Sequence, residues 1–191
     1  MAKVMAGITI SLDGFINDSN KSVEKLYVDF SELMKAPSFK EMTKNTGAVI
    51  MGRNVYEMVD PFTWVNDDYE FQVPIFVLTH TPPEKYPKGN DKLSITFVTD
   101  GIESAVSQAK EAAGDKMVQV IGGASTIQQA LNSGLCDELG IDIMPVLLGK
   151  GLRLFENIDT DKIKLERTTV EGSTTARTSI MFKVTKADSK G

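Results

Sequence analysis

The chain holds little from which protein groups alone could build a metal or redox centre. One cysteine, Cys136, and one histidine, His80, stand among 191 residues. A single thiol forms no internal disulfide, and one Cys with one His leaves no metal cluster to expect. Positive charge is scarce as well: 21 Lys and Arg face 26 Asp and Glu, a formal charge of −5. That balance excludes nucleic acid as the expected partner, since no basic excess exists to neutralise phosphates. It leaves room for a local pocket that takes one small anion. Long apolar runs are missing too. None approaches the ~20 residues that span a bilayer, and the N-terminal stretch enters a strand pattern without a signal-peptide core. A cytoplasmic protein with a small-molecule partner and no membrane is the expectation. With 41% hydrophobic and 25% charged residues, the composition suits one ordinary globular domain. We place it at 1–186, followed by a polar tail at 187–191.

The stretch that organises the rest is Lys116–Leu131. Its first half is short, apolar and β-branched, as in a strand buried on both faces. Its second half carries Ile127, Ala130 and Leu131 at helical spacing, with Ser125 or Thr126 available to cap. Gly122 and Gly123 lie between. They let a ligand approach the backbone, and a helix opened there directs free N–H groups outward, a natural seat for phosphate. A tight turn without a ligand is the competing reading.

Two further junctions repeat this theme. Gly47–Gly52 is an apolar strand, and Arg53 and Asn54 follow it at once. A guanidinium there suits a phosphate, or a surface ion pair. Pro74–Leu78 is a strand that ends in Thr79, His80 and Thr81 before two prolines. These side chains are either structural or phosphate-holding. One dinucleotide could occupy all three junctions, which is more specific than any one of them. Two carboxylates accompany them. Asp13 follows the first strand (3–12) in an Asp-Gly turn, either bonding a nearby backbone N–H or facing a ligand. Asp142 alternates with Leu139, Ile141 and Ile143 in a later strand and faces solvent or a pocket.

Elsewhere, 23–44 suits a helix broken at Ala36-Pro37 with Ser38 as a cap, and 60–72 is too irregular to assign. Ile102–Ala113 is helical, and 163–171 with 175–185 reads as an antiparallel pair. Strands alternating with helices and closed by a hairpin predict one α/β domain with a largely parallel sheet.

The motifs S-L-D-G-F-I (11–16), V-I-M-G-R-N-V-Y-E (49–57), I-F-V-L-T-H-T-P (75–82), V-I-G-G-A-S (120–125) and P-V-L-L-G-K-G (145–151) follow one another across nearly the whole chain. In that order they resemble the dihydrofolate reductase-like superfamily. The closest branch is the C-terminal reductase domain of the bacterial riboflavin-biosynthesis deaminase-reductase. The resemblance implies a three-layer α/β/α fold with a mixed eight-stranded sheet, mostly parallel, with a C-terminal antiparallel hairpin. It also implies NADPH as cofactor and a homodimer, formed through that hairpin or the 145–155 segment. Matching motifs place Gly52, Arg53, Asn54, Thr79, His80 and Thr81 around the adenosine 2′-phosphate and part of the pyrophosphate. Ile121, Gly122, Gly123, Ala124, Ser125 and Thr126 would receive the pyrophosphate, and Thr9 and Ile16 would flank the nicotinamide. Hydride would pass to a pterin- or riboflavin-precursor-like heterocycle or a related carbonyl or imine compound, with Asp13, Asp142 or water supplying the proton. Val55 replaces a threonine frequent in the family, and Ile127 replaces a tyrosine of classical dihydrofolate reductases. The helix acid of those enzymes has no counterpart near Ala36–Ser38. A classical dihydrofolate reductase and a non-catalytic NADP(H)-binding or sensing protein are the alternative expectations.

Overall fold

The computed structural model describes residues 2–187. Its strands are β1 (Val4–Ser11), β2 (Phe15–Asp18), β3 (Thr46–Gly52), β4 (Ile75–Leu78), β5 (Ile95–Val98), β6 (Met117–Val120), β7 (Glu138–Met144), β8 (Gly151–Arg153), β9 (Ile163–Gly172) and β10 (Thr178–Lys186). The helices are α1 (Phe30–Leu33), α2 (Pro37–Asn45), α3 (Arg53–Tyr56), α4 (Ile102–Ala113) and α5 (Ala124–Asn132). Eight strands form one sheet in the order β5-β4-β3-β6-β1-β7-β10-β9, and β2 pairs with β8 in a separate ribbon. Every pair from β5 to β7 is parallel, and β10 runs against both of its neighbours. This is the mixed, mostly parallel sheet with a C-terminal hairpin that the sequence implied.

Alternation of side chains gives the central strands their two faces. In β3, Ala48 and Ile50 join one apolar cluster, and Val49 and Met51 join another on the opposite side. The first cluster is closed by α4 (Ile102, Ala105, Ala109) and α5 (Ile127, Ala130, Leu131). The second is closed by Tyr56, Trp64 and Phe71, which follow β3 in the chain, with Met42 of α2 packed at its margin. Helical layers therefore cover both sides of the sheet.

Local chemistry explains the boundaries. Pro37 opens α2 because its missing N–H is not needed in the first turn, and Ala36 before it is extended. Ala36 rather than Ser38 is therefore the cap residue. Likewise α5 has Gly123 at its N-cap with no side-chain cap bond. Ser125 instead accepts a hydrogen bond from Gln129 one turn on. The region 23–36 holds only a 3-10 turn (Glu24–Leu26) and the one-turn α1. The unassigned 60–72 stretch contains a 3-10 turn (Pro61–Val65) capped by the Asp60 carboxylate. The backbone N–H of Ala187 donates to Lys162, and the rest of the expected tail lies outside the described residues.

Candidate functional site

The three junctions meet. The Gly52 N–H donates to the Gly122 carbonyl at 2.8 Å, tying the end of β3 to the glycine pair. A Cβ at Gly52 would lie 2.5 Å from Thr126 Oγ1, so only glycine lets β3 and α5 close to this distance. The Arg53 guanidinium donates to the Thr81 carbonyl and pairs with Glu57 at 2.7 Å. Of its two sequence readings the surface ion pair is the one observed, and it lies within reach of the β4 junction. Thr79 and Thr81 are knit together by bonds between the Thr79 hydroxyl and the Thr81 backbone. Gly122 has φ +123°, and the Gly122–Gly123 peptide is cis. The first intrahelical bond of α5 to leave Gly123 is donated by Ile127. The N–H groups of the preceding turn are uncapped, and residues 122–126 line one large cleft with Arg53, Asn54 and 79–81. Uncapped amides at the positive end of a nine-residue helix, beside glycines that leave room, suit a pyrophosphate. Ile121, Thr9 and Ile16 line the same cleft.

Beyond this grip the floor changes character. Register places Thr9 of β1 opposite Asp142 of β7, Asp142 opposite Ser179 of β10, and Ser179 opposite Glu171 of β9. Directly paired residues share a face, so these four form a polar row across four strands. All line the cleft. Asp142 accepts a hydrogen bond from the Ser179 hydroxyl and another from Arg177 Nη1 at 3.1 Å.

Arg177 lies beneath this row with its side chain 0% exposed, whereas that of Asp142 is 30% exposed. It forms a two-pronged pair with Asp29 at 3.1 and 2.8 Å and also reaches Thr9 Oγ1 (2.5 Å) and the Leu26 carbonyl (3.1 Å). Buried charge is tolerable when its donors are satisfied in this way. The Arg177 hydrogen bonds hold the Asp29 carboxyl below the usual carboxylate range, against the opposing effect of burial. One guanidinium facing two carboxylates leaves the cluster with a negative excess, and Asp142 is the member that meets the cleft. Tyr27 lies against the cluster, with Arg177 Cζ 5.5 Å from its ring centroid. Burial pushes its hydroxyl pKa up, keeping it protonated.

Asp13 bonds nearby backbone N–H groups, one of its two readings from the sequence. Its carboxylate accepts from the Ser11 hydroxyl (2.6 Å) and from the N–H groups of Leu148 (3.1 Å) and Gly149 (2.7 Å). The Ser11 bond leads in holding its pKa down to about 2. Asp13 is absent from the described lining of the cleft. A carboxylate so occupied is a clasp between the Asp-Gly turn and the 146–149 bend.

Three lining or supporting groups had no local signature in the sequence. Arg177 sits in a bend before β10, and its acidic partners lie 148 and 35 residues away. Tyr27 lies in a segment that suggested a plain amphipathic helix. Glu70 belongs to the stretch that could not be assigned; it lines the cleft, and burial raises its pKa.

A family profile described as the RibD C-terminal domain matches residues 2–177. The chain belongs to this family. Among solved structures, a putative riboflavin biosynthesis protein from Shewanella sp. PV-4 is 25% identical with a TM-score of 0.71, over 96% of this chain and 99% of that one. The deaminase/5-amino-6-(5-phosphoribosylamino)uracil reductase of Thermotoga maritima is 16% identical with a TM-score of 0.66, over 95% of this chain and 56% of that longer protein. Dihydrofolate reductase from Enterococcus faecalis, complexed with NADP(H), is 17% identical with a TM-score of 0.57, over 97% of each chain. The last two share the fold. The RibD C-terminal domain is a reductase domain, so the family places this chain among oxidoreductases. Among the described residues, no helix is long and apolar enough to cross a membrane.

Proposed function

We propose that this protein is an NADPH-dependent reductase that delivers hydride to the carbon of a C=N or C=O bond in a small polar heterocycle. The observation that carries this reading is the meeting of a phosphate-suited grip and a polar floor in one cleft. The cofactor, when bound, supplies the hydride; the protein supplies position. The amides of residues 123–126 take the pyrophosphate. Arg53, with Asn54, Thr79, His80 and Thr81 around it, takes the 2′-phosphate, exchanging its bond to Glu57 for a stronger pairing. Thr9 and Ile16 flank the nicotinamide. Asp142, held by Arg177 and Ser179, accepts a hydrogen bond from the acceptor, and water ordered against it brings the proton to the reduced nitrogen or oxygen. A cytoplasmic enzyme fits this role. A homodimer is part of the proposal, with the exposed Leu147, Leu152 and Phe155 of the 145–155 segment as its contact surface.

Arg53→Ala separates the cofactor assignment from its rivals. Titration with NADPH and NADH should show NADPH weakened by about tenfold or more and NADH nearly unchanged, because only one carries the extra phosphate. Equal losses would remove the 2′-phosphate assignment. A chain that binds NADPH but reduces no heterocyclic imine or carbonyl compound would be a binding protein, not an enzyme.

A further inference from the structure

Charge is divided unevenly along the cleft. Among its described lining residues, the only lysine and arginine are Lys21 and Arg53. Arg53 belongs to the cofactor end, and Lys21 stands exposed in the loop after β2. At the acceptor end the one guanidinium, Arg177, is fully buried with its donors spent on Asp29, Asp142, Thr9 and a carbonyl. What faces the cleft there is acidic. Asp142 and Glu171 come from the polar row, and Glu70 approaches from the loop before β4. Among the described residues Glu70 has no ion-pair partner and its carboxyl is bonded only by its own backbone N–H, while burial disfavours its charged form. Tyr27, Glu70 and Asp142 line the same cleft. Tyr69 lines the same cleft, with its hydroxyl buried and unpartnered among the described residues.

A dianionic phosphate brought into such surroundings would meet the Asp142 and Glu171 carboxylates and the desolvated Glu70 carboxyl, without a guanidinium or ammonium free to offset them. Groups that donate N–H bonds, or carry positive charge, would find acceptors already oriented by Arg177 and Ser179. Resting on the reductase reading and narrowing it, we infer that the acceptor is an uncharged or cationic nitrogen heterocycle whose N–H groups meet Asp142 and Glu70, and that a phosphorylated acceptor is disfavoured.

The test is a matched pair of probes titrated calorimetrically into the chain saturated with NADP+: 5-amino-6-(5-phosphoribosylamino)uracil and its dephosphorylated form. The dephosphorylated probe should bind about tenfold or more tightly than the phosphorylated one, the scale expected for a few partly screened like-charge contacts. Glu70→Lys should shrink that ratio by several-fold or invert it, and Lys21→Ala should leave it unchanged. Equal or tighter binding of the phosphorylated probe overturns the inference, as does a cofactor-loaded chain that binds neither. Lys21→Ala abolishing binding of the phosphorylated probe would identify Lys21 as a phosphate seat and overturn it too. If NADP+ itself does not bind, the reductase reading fails. The same two titrations on the bare chain then still test the charge preference, which an absent difference would refute.

Discussion

The side of the sheet away from α4 and α5 has two halves with opposite chemistry. Under β3 and β4 it is apolar: Val49, Met51, Ile75 and Val77 are fully buried against Tyr56, Trp64 and Phe71. Across β1, β7, β10 and β9 the same side carries Thr9, Asp142, Ser179 and Glu171, which line the cleft; the buried Arg177 covers Thr9, and Asp142 is part-exposed. The backbone is continuous through both halves, so strand geometry does not make the difference. What covers each half does. An apolar row demands a lid, and a polar row that faced such a lid would leave donors and acceptors unsatisfied. The first half belongs to the packed core, and the second lines the cleft.

Substitutions can break that contrast or sharpen it. The largest effect should come from Arg177→Met, which leaves Asp29 buried without its partner. Urea unfolding should show a loss of about 3–5 kcal/mol, as for other broken buried ion pairs. A variant that kept its stability would mean that the cluster is dispensable. Ile75→Ala in the apolar half should cost about 2–4 kcal/mol by the same measurement. Its NADPH affinity, measured well below the unfolding midpoint, should not change. Asp142→Asn should behave in the opposite way. Steady-state turnover should fall by about 10²-fold while the melting temperature moves by only a few degrees, since the residue is part-exposed and Asn still accepts from Arg177. Were Asp142→Asn as active as the parent, the polar row would not be the acceptor floor.

The smallest effect concerns the Asp13 clasp. Its pKa is lower in the folded chain, at about 2, than the ordinary unfolded value of about 4. The clasp therefore stabilises the fold fully above that unfolded value and loses its effect as pH falls toward the folded one. Melting curves of Asp13→Asn and the parent should differ modestly at neutral pH and converge near the acid limit. A gap that stayed constant across the range would show that the carboxylate charge is not what holds the 146–149 bend.

How much of this was legible depended on sequence distance. Strands announced themselves through apolar runs, and the three junctions through short local signatures: a glycine before Arg53, a glycine pair before a helix, hydroxyls around His80. Each is written in a few adjacent residues, so its meaning survives without knowledge of the rest. The polar row is different. Thr9, Asp142, Ser179 and Glu171 become neighbours only through strand register, which no local pattern states. Asp142 could be placed on the face opposite Ile141, but nothing in β7 announces Ser179 or Arg177. Glu70 was hidden for another reason, since it sits in a loop with neither a helical nor a strand period. Caps were misread where a glycine or alanine took the position that Ser38, Ser125 or Thr126 could have filled.

The bond between Arg177 and Asp29 spans 148 positions, and it also fixes an order of events. During synthesis from the N-terminus, β1, β3 and α5 all leave the ribosome before the final hairpin. The corner where Gly52 meets Gly122 can therefore take shape while Thr9 and Asp29 still await their guanidinium. A nascent chain arrested before Arg177 would hold the glycine-rich end of the cleft with its polar row unfinished.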